Sequence, residues 1–395
     1  MSSLELPGPC VVVYSGVRMS DEPHLFPGQL IEELLASRGW SKRVLAVVLD
    51  VDESLLGKII NGKRPVDARL ALLLGEVFNQ PAERFLALQR AFELAQARLM
   101  TKPDPRRSTR AHLFGGLPVA EMIKRGWLDA DDVRDVAAVE KSLVSFFQAA
   151  SLDEIEVLPH AARKTSVSGG ATPVQIAWLY RVKEVAEEMV VRSPFTLAAA
   201  HEAVARLGEL RSSAEAARHV PRVLDEAGIR FVLVESLPSS KIDGVCLWLD
   251  DISPVIALSL RHDRIDNFWF VLRHECEHVI HGHGKTAVML DTEMEGEHGT
   301  DLPAEEQVAN AAAAEFCVPQ AALARFIARK SPFFAERDII GFARTLRIHP
   351  GLVAGQLQRK MKQYNRFRTQ LVKIRSIVAP GARVDGWGDV APVDR

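Results

Sequence analysis

Apolar residues recur at helical spacing from Pro27 onward. Leu30, Ile31, Leu34 and Leu35 share one face of a first helix that Arg38-Gly39-Trp40 ends. Ser41 is a good N-cap for a second, in which Leu45, Ala46, Val48 and Leu49 are apolar. Asp50-Val51-Asp52 makes a tight turn, and Asp52 caps a third helix carrying Leu55, Leu56, Ile59 and Ile60, stopped by Asn61-Gly62. Pro65 and Asp67 open a fourth helix through Phe78, and a fifth covers residues 81–99. Short helices in this order, with a few residues between the second and third, predict a helix-turn-helix bundle.

A polar, proline-containing break at residues 102–108 predicts a linker. Helical spacing returns over residues 131–148, 172–191 and 194–210. From Gly228 the period changes: residues 229–234, 245–249 and 255–260 read as strands, with Asp243-Gly244 and Asp250-Asp251 as turn signals. Asp266 is expected to cap the helix that follows. An acidic loop at residues 284–299 precedes an Ala-rich helix over residues 303–318. The expected domains are an arm at 1–26, the helix-turn-helix at 27–101, a helical connector at 102–227, a small-sheet domain at 228–378 and a loose tail at 379–395.

The helix after the strands carries the chemistry. His274-Glu275-Cys276-Glu277-His278 reads H-E-x-x-H, and positions i and i+4 share a helix face. Two imidazoles so placed can hold one Zn²⁺, with Glu275 beside it as a base. A hydrolytic zinc site usually has a third protein ligand. A third histidine does not fit the longer H-E-x-x-H-x-x-G-x-x-H pattern, because His281 stands where that pattern has Gly and Gly284 where it has His. The carboxylate candidates are Glu305, Glu306 and Glu315 on the Ala-rich helix and Glu293, Glu295 and Glu297 in the loop. Glu306 is favoured, because Ala309, Ala313 and Phe316 continue its face and let two helices approach closely. His281 and His283 read as residues behind the ligands or on the surface, and Cys276 as off the ligand face. His349 is either an oxyanion donor or a residue that starts a helix.

Composition adds limits. A formal net charge of -2 over 395 residues gives no global field toward nucleic acid, so any such role rests on a local patch. Four scattered cysteines (Cys10, Cys246, Cys276, Cys317) without a CxxC pair predict reduced thiols. The N-terminus lacks the features of a signal peptide, and no apolar run reaches transmembrane length. A cytoplasmic protein with no membrane partner is expected.

The segment 228–360 resembles the ImmA/IrrE family of bacterial zinc peptidases. The shared features are the strand at 255–260, the H-E-x-x-H helix, and a later E-x-x-A-N helix, here Glu306-Gln307-Val308-Ala309-Asn310, ending at Val318-Pro319. The resemblance implies His274, His278 and Glu306 as ligands of one Zn²⁺ per chain and Glu275 as catalytic base. It departs at Glu277, where a small Gly is usual, and at Ala312, where an aromatic is expected. The segment from Pro27-Gly28 through Asn61-Gly62-Lys63-Arg64-Pro65 to Gln89 resembles the Cro/repressor-type helix-turn-helix of HigA-like antitoxins. That family binds operator DNA as a dimer. The candidate DNA-binding cations here are Lys42, Arg43, Lys58, Lys63 and Arg64, opposed by Asp50, Asp52 and Glu53 near the start of the recognition helix.

The resulting expectation is a mainly α protein with a small β-sheet, a helix-turn-helix bundle joined to an α+β zincin-like domain. Its expected role is a homodimeric antitoxin-type or stress-response regulator whose zinc endopeptidase cuts one partner protein, a toxin or a repressor. The alternative is a non-catalytic antitoxin that neutralises a toxin by binding and represses its own operon.

Overall fold

The computed structural model describes residues 25–155, 170–285, 288–292 and 303–385. The 1–24 part of the expected arm, the loop glutamates Glu293, Glu295 and Glu297, and the 386–395 part of the expected tail lie outside the described residues. The chain divides into two compact units, Met1–Pro105 and Arg106–Arg395.

The first unit consists of α1 (Pro27–Arg38), α2 (Lys42–Val48), α3 (Glu53–Ile60), α4 (Ala68–Phe78) and α5 (Ala82–Met100). Of the apolar positions read from the sequence, Leu30, Ile31, Leu45, Leu56 and Ile60 are buried in its core, joined by Leu74 and Phe85. The Ser41 and Asp52 side chains cap α2 and α3 as expected. Gly28 is where α1 meets α3, since a Cβ there would lie 2.1 Å from the Ile60 carbonyl oxygen. Asp50, in the turn between α2 and α3, takes the left-handed conformation (φ 52°) that glycine adopts without penalty.

The second unit is built on a five-stranded sheet of order β4-β2-β3-β1-β5. Its strands are β1 (Arg230–Val234), β2 (Ile242–Trp248), β3 (Pro254–Leu258), β4 (Met289–Thr292) and β5 (Arg383–Asp385). β1 runs parallel to β3 and β5, while β2 is antiparallel to β3 and β4. Alternate residues serve two cores. Phe231, Leu233, Cys246, Ile256 and Leu258 face one, and Val232, Val234, Val245, Val255 and Ala257 face the other.

This arrangement corrects the idea of a connector. α6 (Arg107–Gly116), α7 (Val119–Lys124), α8 (Val136–Phe146) and α9 (Pro173–Glu187) cover the second face of the sheet. α10 (Leu197–Leu210) and α11 (Val220–Glu226) join the first face, with α12 (Ile265–His281) and α13 (Ala304–Cys317). α14 (Gln320–Lys330), α15 (Glu336–Leu346), α16 (Pro350–Met361) and α17 (Arg375–Val378) complete that layer. The strands are apolar on both sides, so both faces must be covered. Two further differences follow. Part of the expected acidic loop is β4, and part of the expected tail is β5, which pairs with β1. Among the described residues, no single helix is long and apolar enough to cross a membrane.

Candidate metal centre

α12 lies against β2 and β3 with Phe268 and Trp269 fully buried beneath it. The same burial carries His274, Glu275 and His278, each at 0% exposure. The two ligand-type histidines stand one turn apart, with their Nε2 atoms 2.9 Å from each other. α13 packs on α12 through Ala309 and Ala313, both buried, and brings Glu306 to the pair. Its carboxylate oxygens are 3.3 Å from His274 Nε2 and 3.3 Å from His278 Nε2. Zinc–nitrogen and zinc–oxygen bonds of about 2.0–2.2 Å in a tetrahedron separate donors by about 3.3 Å. The donor set therefore fits one Zn²⁺: both His–Glu separations match that spacing, and the 2.9 Å between the two Nε2 atoms needs to widen by about 0.4 Å. Among the described residues this is the only group of three such donors.

The base candidate has space made for it. Gly244 of β2 faces Glu275, and a Cβ there would lie 2.3 Å from Glu275 Oε1. His278 is held from behind, its Nδ1 lying 2.9 Å from Nδ1 of His283. For His278 to aim a lone pair from Nε2 at a cation, its Nδ1 must carry the proton and donate it to His283. His283 is fixed in turn, because its carbonyl accepts from the Trp248 indole N–H at 2.8 Å and from Cys246 Sγ at 3.5 Å. On the other side, the Phe270 ring stacks near His274, with centroids 6.5 Å apart.

The remaining sequence candidates fall elsewhere. Glu305 is exposed, and Glu315 accepts from the Gln320 backbone N–H at 2.8 Å. Burial pushes the Cys276 thiol up to about 12, which leaves no thiolate for nucleophilic work. Burial also raises the Glu277 carboxyl, but hydrogen bonds from Arg273 and His281 outweigh it and hold the group below the usual range. His349 caps α16, its Nδ1 accepting from Gly351 N at 3.0 Å, so it is the helix-starting residue. Asp266 does not cap α12. It sits in the first turn and binds Arg264, whose Nη2 is 2.6 Å from Asp266 Oδ2. Asp243-Gly244, expected as a turn, lies inside β2, where a mid-strand glycine signals close approach, and His283 sits behind a ligand as one of its two expected places.

In the first unit, Arg43, Lys58, Lys63 and Arg64 are exposed, whereas Lys42 is engaged by Glu32 at 3.0 Å. Asp52 Oδ1 accepts from Ser54 N at 2.8 Å and Leu55 N at 3.1 Å. These backbone hydrogen bonds, first that from Leu55, hold its carboxyl below the ordinary value.

Comparisons with known proteins give one family model and several relatives. The peptidase M78 family model, described as the IrrE N-terminal-like domain, matches residues 224–336. Virulence-associated protein A' of Dichelobacter nodosus is 41% identical over 80 residues, which is 20% of this chain and 68% of that protein. Virulence-associated protein I of the same organism is 33% identical over 79 residues, 20% of this chain and 73% of that protein. The Pseudomonas aeruginosa antitoxin HigA, solved with the higBA promoter, is 26% identical with a TM-score of 0.19, covering 20% of this chain and 95% of its own.

Proposed function

This chain belongs with virulence-associated protein A', and its residues 224–336 match the IrrE N-terminal-like domain; on that premise we propose a HigA-like helix-turn-helix antitoxin joined to a zinc-dependent endopeptidase that cuts one partner protein. The observation that carries the reading is the convergence of His274, His278 and Glu306 beside the buried carboxylate of Glu275. His274, His278 and Glu306 would hold the metal. Zinc bound there supplies Lewis acidity, which makes water a nucleophile at neutral pH and polarises a scissile carbonyl. Glu275 takes a proton from water at its carboxylate and returns it to the leaving amine. Gly244 leaves room for that carboxylate, and His283 fixes the ring and tautomer of His278. The test is Glu275→Gln: zinc content should remain while cleavage of the partner stops. If partner control survives that substitution, the chain acts by binding alone, as a non-catalytic antitoxin would.

The helix-turn-helix is proposed to bind operator DNA as a homodimer through Arg43, Lys58, Lys63 and Arg64. The amides at the start of α3, which could otherwise receive a phosphate, are taken by Asp52. Phosphate contact therefore rests on the exposed cations. A promoter gel shift should weaken with added salt and with Lys63→Ala or Arg64→Ala. No shift at low salt would end this reading.

A further inference from the structure

The net charge of -2 hides an uneven distribution. Residues 319–378, which hold α14 to α17, carry thirteen lysines and arginines against two acids, Glu336 and Asp338. Both acids are engaged: Asp338 pairs with Lys330 at 2.8 Å, and Glu336 accepts from Thr369 and Gln370. The cationic excess therefore reaches the surface. Arg325, Arg329, Lys360 and Lys362 are exposed, and among the described residues none of them has an acidic partner.

Inside this basic region runs an apolar groove. Gln320, Leu323, Ala324, Ile327 and Ala328 of α14 line one open cavity of about 500 Å³ with Lys360 of α16. These α14 positions recur at i, i+3, i+4, i+7 and i+8, so they form one stripe about two turns long. Ala324 and Ala328 are exposed and Ile327 is half-buried, so the stripe is open to solvent. Its one polar side chain is occupied, because the Gln320 carboxamide donates to the Ala314 and Val318 carbonyls at 3.0 and 2.8 Å. Glu315, beside the start of the stripe, accepts from the Gln320 backbone N–H at 2.8 Å. Arg325 and Arg329 stand about 100° round the helix from Ala324 and Ala328. The groove thus has an apolar floor, with Lys360 at its α16 wall and two arginines beside its α14 floor.

Phosphates and bases need free donors or aromatic faces, and this floor offers neither. Small alanines one turn apart let another helix lie close, and leucines at matching spacing would cover the stripe. Acids flanking those leucines would meet Arg325, Arg329 and Lys360. We propose that this groove docks an acidic amphipathic helix of a partner protein. Docking here needs neither zinc nor hydrolysis, so it goes beyond the peptidase reading and does not rest on it.

The test titrates the zinc-free full chain into a fluorescein-labelled helical peptide of about 16 residues, with Leu at i, i+3, i+4 and i+7 and Glu beside them. One control peptide carries Gln for every Glu, and another has the same residues scrambled out of helical spacing. Fluorescence anisotropy should show saturable binding of the first peptide, roughly tenfold or more tighter than either control. Zinc-loaded Glu275→Gln, which cannot consume the probe, should give the same curve. Ala328→Glu should weaken binding by roughly tenfold or more, and Arg325→Glu and Lys360→Glu by roughly threefold or more each. All three side chains are exposed, so each variant should keep its unfolding midpoint, which thermal unfolding checks. No saturable binding, or no effect of Ala328→Glu, would overturn the proposal. Equal binding of the scrambled peptide would overturn it too, leaving a general polyanion surface. Tighter binding of a DNA duplex of about 20 base pairs, unaffected by Ala328→Glu, would assign the cations to phosphates instead. A dimer of the chain alone that Ala328→Glu dissociates in sedimentation would make a second copy the occupant, and would overturn the proposal as well.

Discussion

Gly244 and Glu275 are thirty-one residues apart, and their contact exists only because β2 lies beneath α12. Gly244→Ala should force the carboxylate aside, with zinc content kept, hydrolysis lost by at least about tenfold, and an overpacking cost of about 1–3 kcal/mol. Metal analysis, peptide cleavage and thermal unfolding check the three parts. His283→Ala should weaken zinc binding by roughly 10–100-fold, read by competition with a chelator, and an unchanged affinity would remove His283 from its positioning role. Residue spacing made part of this site legible. His274, Glu275 and His278 are local to one helix, and Glu306 was favoured by the small residues continuing its face. His283 was narrowed to a place behind the ligands or on the surface, and Gly244 was taken for a turn, because its meaning depends on which strand passes below the helix.

Among the elements, α3 has a start that responds to pH. The Asp52 carboxyl is held below its ordinary 3.8 by backbone hydrogen bonds, first that from Leu55. A group whose pKa is lowered on folding stabilises the fold above its unfolded value and loses that contribution as pH falls through the folded value. The cap should therefore be intact at neutral pH and weaken in acid below about pH 3.8. Asp52→Asn should keep a cap and abolish this acid response, as measured by amide exchange at Ser54 and Leu55. The helix caps were legible at α2 and α3 because Ser41 and Asp52 precede unbroken apolar spacing. The start of α12 was not, because Arg264 draws the Asp266 carboxylate away from a capping role.

For the molecule as a whole, the sequence separates a helix-turn-helix from a peptidase-like domain but hides how much chain the latter uses. The wholly apolar strand Phe231-Val232-Leu233-Val234 is the signal that both faces of the sheet need cover, and α6 to α9 provide it on one side. β5 is equally hidden, since a three-residue strand has no periodicity to read. It is anchored by Asp385, fully buried and paired with Arg181 of α9. Asp385→Ala should leave Arg181 with Glu184 as its remaining acidic partner and cost about 1.5–3 kcal/mol, seen as a lowered denaturant midpoint. The central claim is that His274, His278 and Glu306 hold a catalytic metal. Zinc stoichiometry of the purified full chain tests it most directly. The prediction is about one zinc per chain, lost in His274→Ala and in Glu306→Ala and kept in Glu275→Gln. No zinc in the parent chain, or the same zinc content in His274→Ala, would contradict it.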